Sequence, residues 1–302
     1  VLFKATVDGG EVAVEALDRD IVIALEGAET PLDGGLPYAL GLSRRAGALW
    51  SEFVQLPPNR DLPSWLNERG DGSPLLADDK IEAFDRAHHL AAGWGLIADR
   101  VDDGQVSDAD RFNAPRAHLL QAWRGALAAA CGDATVADAA IDDALAAWEE
   151  GVAIERAFFA GERGVSRIDD YQRSVRLRLR WVVASAAAML ETAGDAARAE
   201  ALRGIHACFM FGLQCRDDAY DAEDDRSLRG AAVHEVLTVP RGALVRAAPL
   251  ALRRAAARAR AAGFSQMGSW VASFADEVDV DAGEPDRARS ELAAFILVEA
   301  LG

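Results

Sequence analysis

The chain has 302 residues, 51% of them hydrophobic, with 49 acidic against 32 basic side chains and a formal net charge of -17. That is enough apolar material for one large core, and the acidity argues against a nucleic-acid partner, because phosphate backbones are held by Lys and Arg. An anionic substrate is not excluded, since a bound metal ion would invert the local sign.

Three cysteines, Cys131, Cys208 and Cys215, make no disulfide framework or zinc pattern, and an odd count suits a reducing, cytoplasmic setting. Residues 1–30 carry acidic side chains throughout, unlike a signal peptide. No uncharged apolar run reaches the ~18 residues of a membrane span.

Taken in order, 11–26 reads as a helix despite its β-branched Val12, Val14, Ile21, Val22 and Ile23. Pro31 to Pro37, with Gly34 and Gly35, breaks it. A helix is predicted over 39–53, then a long loop over 57–74. The next helix spans 78–103, where His88 and His89 read as a surface or core-edge pair. Another covers 113–130, with Pro115 in its first turn and Gly132 at its end. Helix 137–159 stops at Gly161 and Gly164. Single helices are predicted over 169–193 and 196–224, then over 242–262, 265–278 and 285–301. Trp270 and Phe274, at i,i+4, read as core. No convincing strand alternation, glycine-rich phosphate loop or repeat appears. The expectation is an all-α, single-domain chain over 1–302.

Two acidic clusters stand out. The apolar run from Ala207 to Leu213 leads into Gln214-Cys215-Arg216-Asp217-Asp218-Ala219-Tyr220-Asp221-Ala222-Glu223-Asp224-Asp225. On one continuous helix, Asp217, Asp221 and Asp225 share a face and Asp218 lies beside it. Like charges at i,i+4 repel, so the pattern suggests a cation; hard oxygens suit Mg²⁺ or Mn²⁺. A solvated acidic face is the plain alternative. The second cluster, Asp99-Arg100-Val101-Asp102-Asp103, likewise ends an apolar run, from His89 to Ala98. Two such helices across one cavity would hold a diphosphate through divalent ions. Arg173, Arg176 and Arg180 share a face of the 169–193 helix and Arg178 lies off it. An arginine at its apolar border would grip phosphate oxygens with its planar fork.

Leu96-Ile97-Ala98-Asp99-Arg100-Val101-Asp102-Asp103-Gly104 resembles the first aspartate-rich motif (DDxxD) of trans-isoprenyl diphosphate synthases, with Arg100 in place of its second aspartate. Gly212-Leu213-Gln214-Cys215-Arg216-Asp217-Asp218-Ala219-Tyr220-Asp221 resembles their second motif (FQxxDDxxD). Tyr171 and, seven residues later, Arg178 are similar to the family's Tyr-to-Lys segment. Asp217, Asp221 and Asp225 also have the spacing of the metal triad of class I terpene synthases. The likeness covers residues 80–230.

The resemblance implies an isoprenoid-synthase-type helical bundle around a central cavity and three magnesium ions, with manganese the alternative. It implies metal ligands Asp99, Asp103, Asp217, Asp218, Asp221 and Asp225, and catalytic roles for Arg178 and Gln214. Arg100, Arg173, Arg176, Tyr171, Phe211 and Trp94 would meet a prenyl diphosphate, and a homodimer is expected. The family's elongating members hold isopentenyl diphosphate in a separate basic site. Here Gly34-Gly35-Leu36-Pro37-Tyr38-Ala39-Leu40 puts apolar residues where its Lys and Arg should stand, and Gly104 to Arg111 offers one arginine; Arg44-Arg45 is a substitute. The expected reaction is therefore ionisation of one allylic diphosphate followed by cyclisation or elimination. Chain elongation and a catalytically silent partner subunit are the alternatives.

Overall fold

The computed structural model describes residues 10–26, 32, 35–41, 56–69, 72–161, 167–278, 287–299 and 301. Among them the chain is an all-α helical bundle of fifteen α-helices and one 3-10 turn, Ala109–Phe112, with no strand. The chain packs as two compact units, Val1–Asp143 with Trp181–Ala199, and Ala144–Arg180 with Glu200–Gly302. No described helix is long and apolar enough to cross a membrane. The predicted helix 39–53 beyond residue 41, with Arg44 and Arg45, lies outside the described residues, as do Pro31, Gly34 and Gly164.

The first unit holds α1 (Gly10–Leu25), α2 (Leu36–Ala39), α3 (Pro57–Arg60), α4 (Leu62–Leu66), α5 (Asp78–Asp102), α6 (Asn113–Cys131), the start of α7 (Ala134–Ala160) and α9 (Trp181–Thr192). It is built around α5, buried without interruption from Ala87 to Ala98. A helix apolar on every side needs neighbours on every side, and α1, α4, α6 and α9 supply them. Glycines set two of these approaches. A Cβ on Gly93 would come 3.0 Å from Ile21 of α1, and one on Gly95 would overlap the Trp181 indole of α9.

The polar side chains of α5 fasten the N-terminal elements. Ser64, by its backbone N–H and its hydroxyl, donates to the Asp85 carboxylate, which thereby caps α4. His88 Nε2 donates to the Asn59 carbonyl at 2.7 Å, at the end of α3. His89 Nδ1 meets Asp20 of α1 at 2.9 Å. His88 and His89 are thus interior anchors, not an edge pair. The loop expected over 57–74 instead contains α3 and α4. Both have proline at their first positions, where its fixed φ suits a helix and its missing N–H costs nothing.

The second unit holds the rest of α7, α8 (Arg167–Arg178), most of α10 (Ala196–Tyr220), α11 (Ala222–Arg229), α12 (Val233–Leu237), α13 (Arg241–Ala261), α14 (Ser265–Glu277) and α15 (Arg287–Glu299). Here α13 is central and packs on α14 and α15. Gly212 brings α10 onto it, with a Cβ position 3.0 Å from the Ala248 carbonyl. Phe274 is core as expected, whereas Trp270, stacked on it at 4.9 Å and beside Phe209, is half-buried.

Two long helices of the sequence reading are each two. Helix 169–193 divides at Leu179–Arg180, where Arg180 N–H bonds to the Leu177 carbonyl in a tightened turn. No proline or glycine marks the place. The charged half ends among ion-pair partners of the second unit, and the apolar half starts with Trp181 seated on Gly95 in the first. Helix 196–224 ends at Tyr220. Arg241 donates to the Ala219 carbonyl at 2.5 Å, satisfying an acceptor at that end, and Asp221 leaves helical geometry before α11 begins.

Two outcomes follow. Gly95→Ala forces a methyl group into the Trp181 ring and should cost about 1–3 kcal/mol in chemical denaturation. The second concerns acid. Burial pushes the His88 imidazole down from 6.5 to about 4. The unfolded chain therefore takes up this proton near pH 6.5 and the folded chain does not until about 4. Stability from neutral His88 is complete above the unfolded value, falls by at most about 3 kcal/mol as pH drops through that window, and is flat below it. His88→Gln keeps a donor for Asn59 but cannot titrate. Its stability relative to the parent should improve as pH falls from 7 to 4; a constant difference would refute the assignment.

Candidate functional site

The second acidic cluster lies at the end of α10. Phe209, Phe211 and Cys215 are buried, and Asp217 and Asp221 are exposed. Asp218 turns the other way. It is 6% exposed, accepts 2.5 Å from the Tyr171 hydroxyl of α8 and 2.7 Å from the Gln214 amide, one donor on each oxygen. Burial pushes this carboxyl up to about 8, against the pull of the two hydrogen bonds and with help from the Asp217 and Asp225 charges. Tyr171 is held between aromatic rings, stacked on Phe158 at 6.0 Å and edge-on to Phe211 at 5.5 Å. Burial, then the Asp218 charge, raises its phenol well above the ordinary value, so it stays a donor.

These contacts sort the sequence candidates. Asp218 and Gln214 form an internal clasp with Tyr171, so Asp218 is not part of the outward acidic face. Phe211 packs against Tyr171. Asp217, Asp221 and Asp225 are not on one continuous helix, because Asp221 sits between α10 and α11. The i,i+4 stacking nevertheless survives the break: Asp221 N–H bonds to the Asp217 carbonyl at 2.8 Å and Asp225 N–H to the Asp221 carbonyl at 2.9 Å.

Arg173 and Arg176 are exposed, and Arg173 pairs with Glu150. Arg178 is buried and pairs with Glu155 of α7. The other Glu155 oxygen accepts 2.8 Å from Arg229 of α11, and Arg229 Nε lies 3.9 Å from Asp225. The guanidinium of Arg178 lies 5.4 Å from the Trp148 ring and that of Arg229 5.0 Å from the Phe159 ring. Trp148, Glu155 and Phe159 are i, i+7 and i+11 on α7, so one face offers ring, carboxylate, ring. Gly151 completes that face: a Cβ there would stand 2.8 Å from the Arg178 backbone nitrogen. The sequence reading missed Glu155 and Arg229. The signal was the stripe on α7 and the Asp225–Arg229 pair at i,i+4.

In the first unit, Asp99, Arg100 and Asp103 are half-buried at the end of α5. Asp102 is 3.4 Å from Arg116, whose guanidinium lies 5.6 Å from the Trp94 ring. Trp94 itself is buried, 5.9 Å from Trp123.

Among the described residues, no group of three or more His, Cys, Asp or Glu side chains is gathered closely enough to hold a metal ion. Magnesium asks for less, commonly one or two carboxylates with water and phosphate oxygens completing its shell. Exposed Asp217 and Asp221, one turn apart, fit that demand; Asp218, with both oxygens occupied, does not.

Tyr171→Phe removes one donor from the buried Asp218 carboxyl and should cost about 1–3 kcal/mol of stability by denaturant titration. Gly151→Ala should be at least as costly, because the added methyl meets backbone rather than a flexible side-chain end.

Comparison of the chain with protein-family models, with curated proteins and with solved structures finds no match.

Proposed function

We propose that the chain is a class I isoprenoid synthase that ionises one allylic prenyl diphosphate and lets the cation cyclise or lose a proton. The observation that carries this reading is α10 itself. It runs through a fully apolar interior, Phe209 to Phe211, and ends in outward carboxylates at Asp217 and Asp221, with the Arg178 and Arg229 guanidiniums in the same unit. Apolar surroundings suit a prenyl chain and a water-sensitive cation. Cationic forks suit the departing diphosphate.

Asp217 and Asp221, with Asp225, are the residues that would hold magnesium in this unit, and Asp99 and Asp103 end α5 in the first unit in a similar way. Bound magnesium would neutralise the diphosphate and improve it as a leaving group. The rest falls to the chain's own groups. Arg178, poised over Trp148, would bind a diphosphate oxygen through charge-assisted hydrogen bonds. The Tyr171–Asp218–Gln214 clasp would keep α10 rotated so that Asp217 faces outward. Phe211 would shield the cation from water. The resemblance of the motifs adds weight to this reading, and the apolar Leu36–Ala39 segment disfavours a second diphosphate.

The test is incubation with geranyl or farnesyl diphosphate, magnesium and labelled isopentenyl diphosphate, followed by mass spectrometry. Hydrocarbon or alcohol products formed without label are expected. Label in a longer prenyl diphosphate would show elongation instead, and no consumption of any allylic diphosphate would remove the enzymatic reading. Asp217→Ala should abolish most turnover. Arg178→Ala should impair it far more than Arg173→Ala, since Arg173 is exposed.

A further inference from the structure

Glu155 holds an unusual post. Its two oxygens are divided between two guanidiniums, Arg178 at Oε2 and Arg229 at Oε1, the latter at 2.8 Å. The three side chains are 11%, 18% and 21% exposed in the order Arg178, Glu155, Arg229. Each guanidinium also rests over a ring of the helix that carries Glu155. Two planar forks, each beside a ring and both aimed at one two-oxygen anion, form a receptor for an oxyanion in general. The geometry that fits a carboxylate also fits a phosphoryl group.

We infer that Arg178 and Arg229 form a two-guanidinium clamp for a diphosphate oxyanion, and that Glu155 is its resident internal occupant, displaced when diphosphate binds. The inference extends the reading above by adding Arg229 to Arg178 and giving Glu155 a competing role. A diphosphate brings more charge and more acceptor oxygens than the carboxylate, so it outcompetes Glu155 while the rings keep both forks in place. With diphosphate gone, Glu155 returns and the two cations are again compensated. Arg229 also reaches toward Asp225 at 3.9 Å, so the clamp adjoins the outward acidic face within the same unit. No bond is made or broken in the exchange; one anion replaces another.

The experiment is calorimetric titration of the full chain with inorganic pyrophosphate, without and with magnesium, for the parent, Glu155→Gln, Arg229→Gln and the double variant. Removing the competing charge should tighten pyrophosphate binding about tenfold in Glu155→Gln, and losing one charged donor should weaken it about tenfold in Arg229→Gln, the scale of one charge-assisted hydrogen bond. The double variant should lose the gain seen in Glu155→Gln. Unchanged or weaker binding in folded Glu155→Gln would overturn the inference. If that variant does not fold by circular dichroism, Arg229→Gln decides: unaltered pyrophosphate affinity overturns the clamp. A parallel arm with geranyl diphosphate separates substrate from free pyrophosphate. Pyrophosphate results as expected without prenyl turnover would remove the enzymatic reading and leave the clamp. Turnover with no effect of Glu155→Gln on pyrophosphate affinity would do the reverse.

Discussion

The hydrogen bond from Tyr171 to Asp218 fixes the rotation of α10, and the outward display at its end depends on that rotation. Successive helical residues stand about 100° apart. With Asp218 turned inward, Asp217 stands about 100° round the helix on the exposed side, and Asp221 follows it at i+4. A neutral apolar residue at 218 could bury equally well, but it would not be tied to one position. A buried carboxyl with a donor on each oxygen has one satisfactory arrangement, because an unpaired polar group in the interior is costly. The same two donors lie on different helices, Tyr171 on α8 and Gln214 on α10, so the clasp registers α8 against α10 as well.

A second constraint is charge. The network from Asp225 through Arg229 and Glu155 to Arg178 alternates in sign along four side chains, each at most 21% exposed. Partly buried ions interact more strongly than surface ions and lose more hydration. Alternation is the arrangement in which each charge has an opposite neighbour, and the rings of Trp148 and Phe159 add favourable faces for the two cations. Network and clasp share α8: Tyr171 sits in its first half and Arg178 at its end, seven residues on. Gly151 allows that end to approach α7 closely enough for Glu155 to reach Arg178.

The helical periodicity of the sequence and its glycine stops located most of the elements. Gly132, with φ 72°, ends α6 where the reading placed it, and α5 begins at the expected residue. What was not legible had tertiary causes. The break at Leu179–Arg180 has no local breaker; it separates residues whose partners belong to different units. The short helices α3 and α4 were hidden because their prolines read as loop, whereas here Asp85 and His88 of α5 satisfy their ends. In the site, the acidic face could be read because its spacing is local. The inward turn of Asp218 could not, since it depends on a tyrosine 47 residues away. Glu155 was equally hidden: its partners lie 23 and 74 residues off.

The arginines of α8 differ in their surroundings. The sequence sets Arg178 off the helix face that carries Arg173 and Arg176. Arg173 and Arg176 project to solvent, where water competes for every hydrogen bond and an ion pair contributes little. Arg178 is buried, next to an indole ring and a shared carboxylate. Its guanidinium cannot shed its proton, so the surroundings must supply an anion at all times. In a chain of net charge -17 many acidic groups could do so. The structure supplies one from α7, fixed on the same helical face as the rings. A fixed internal anion on that face keeps the guanidinium oriented against its ring.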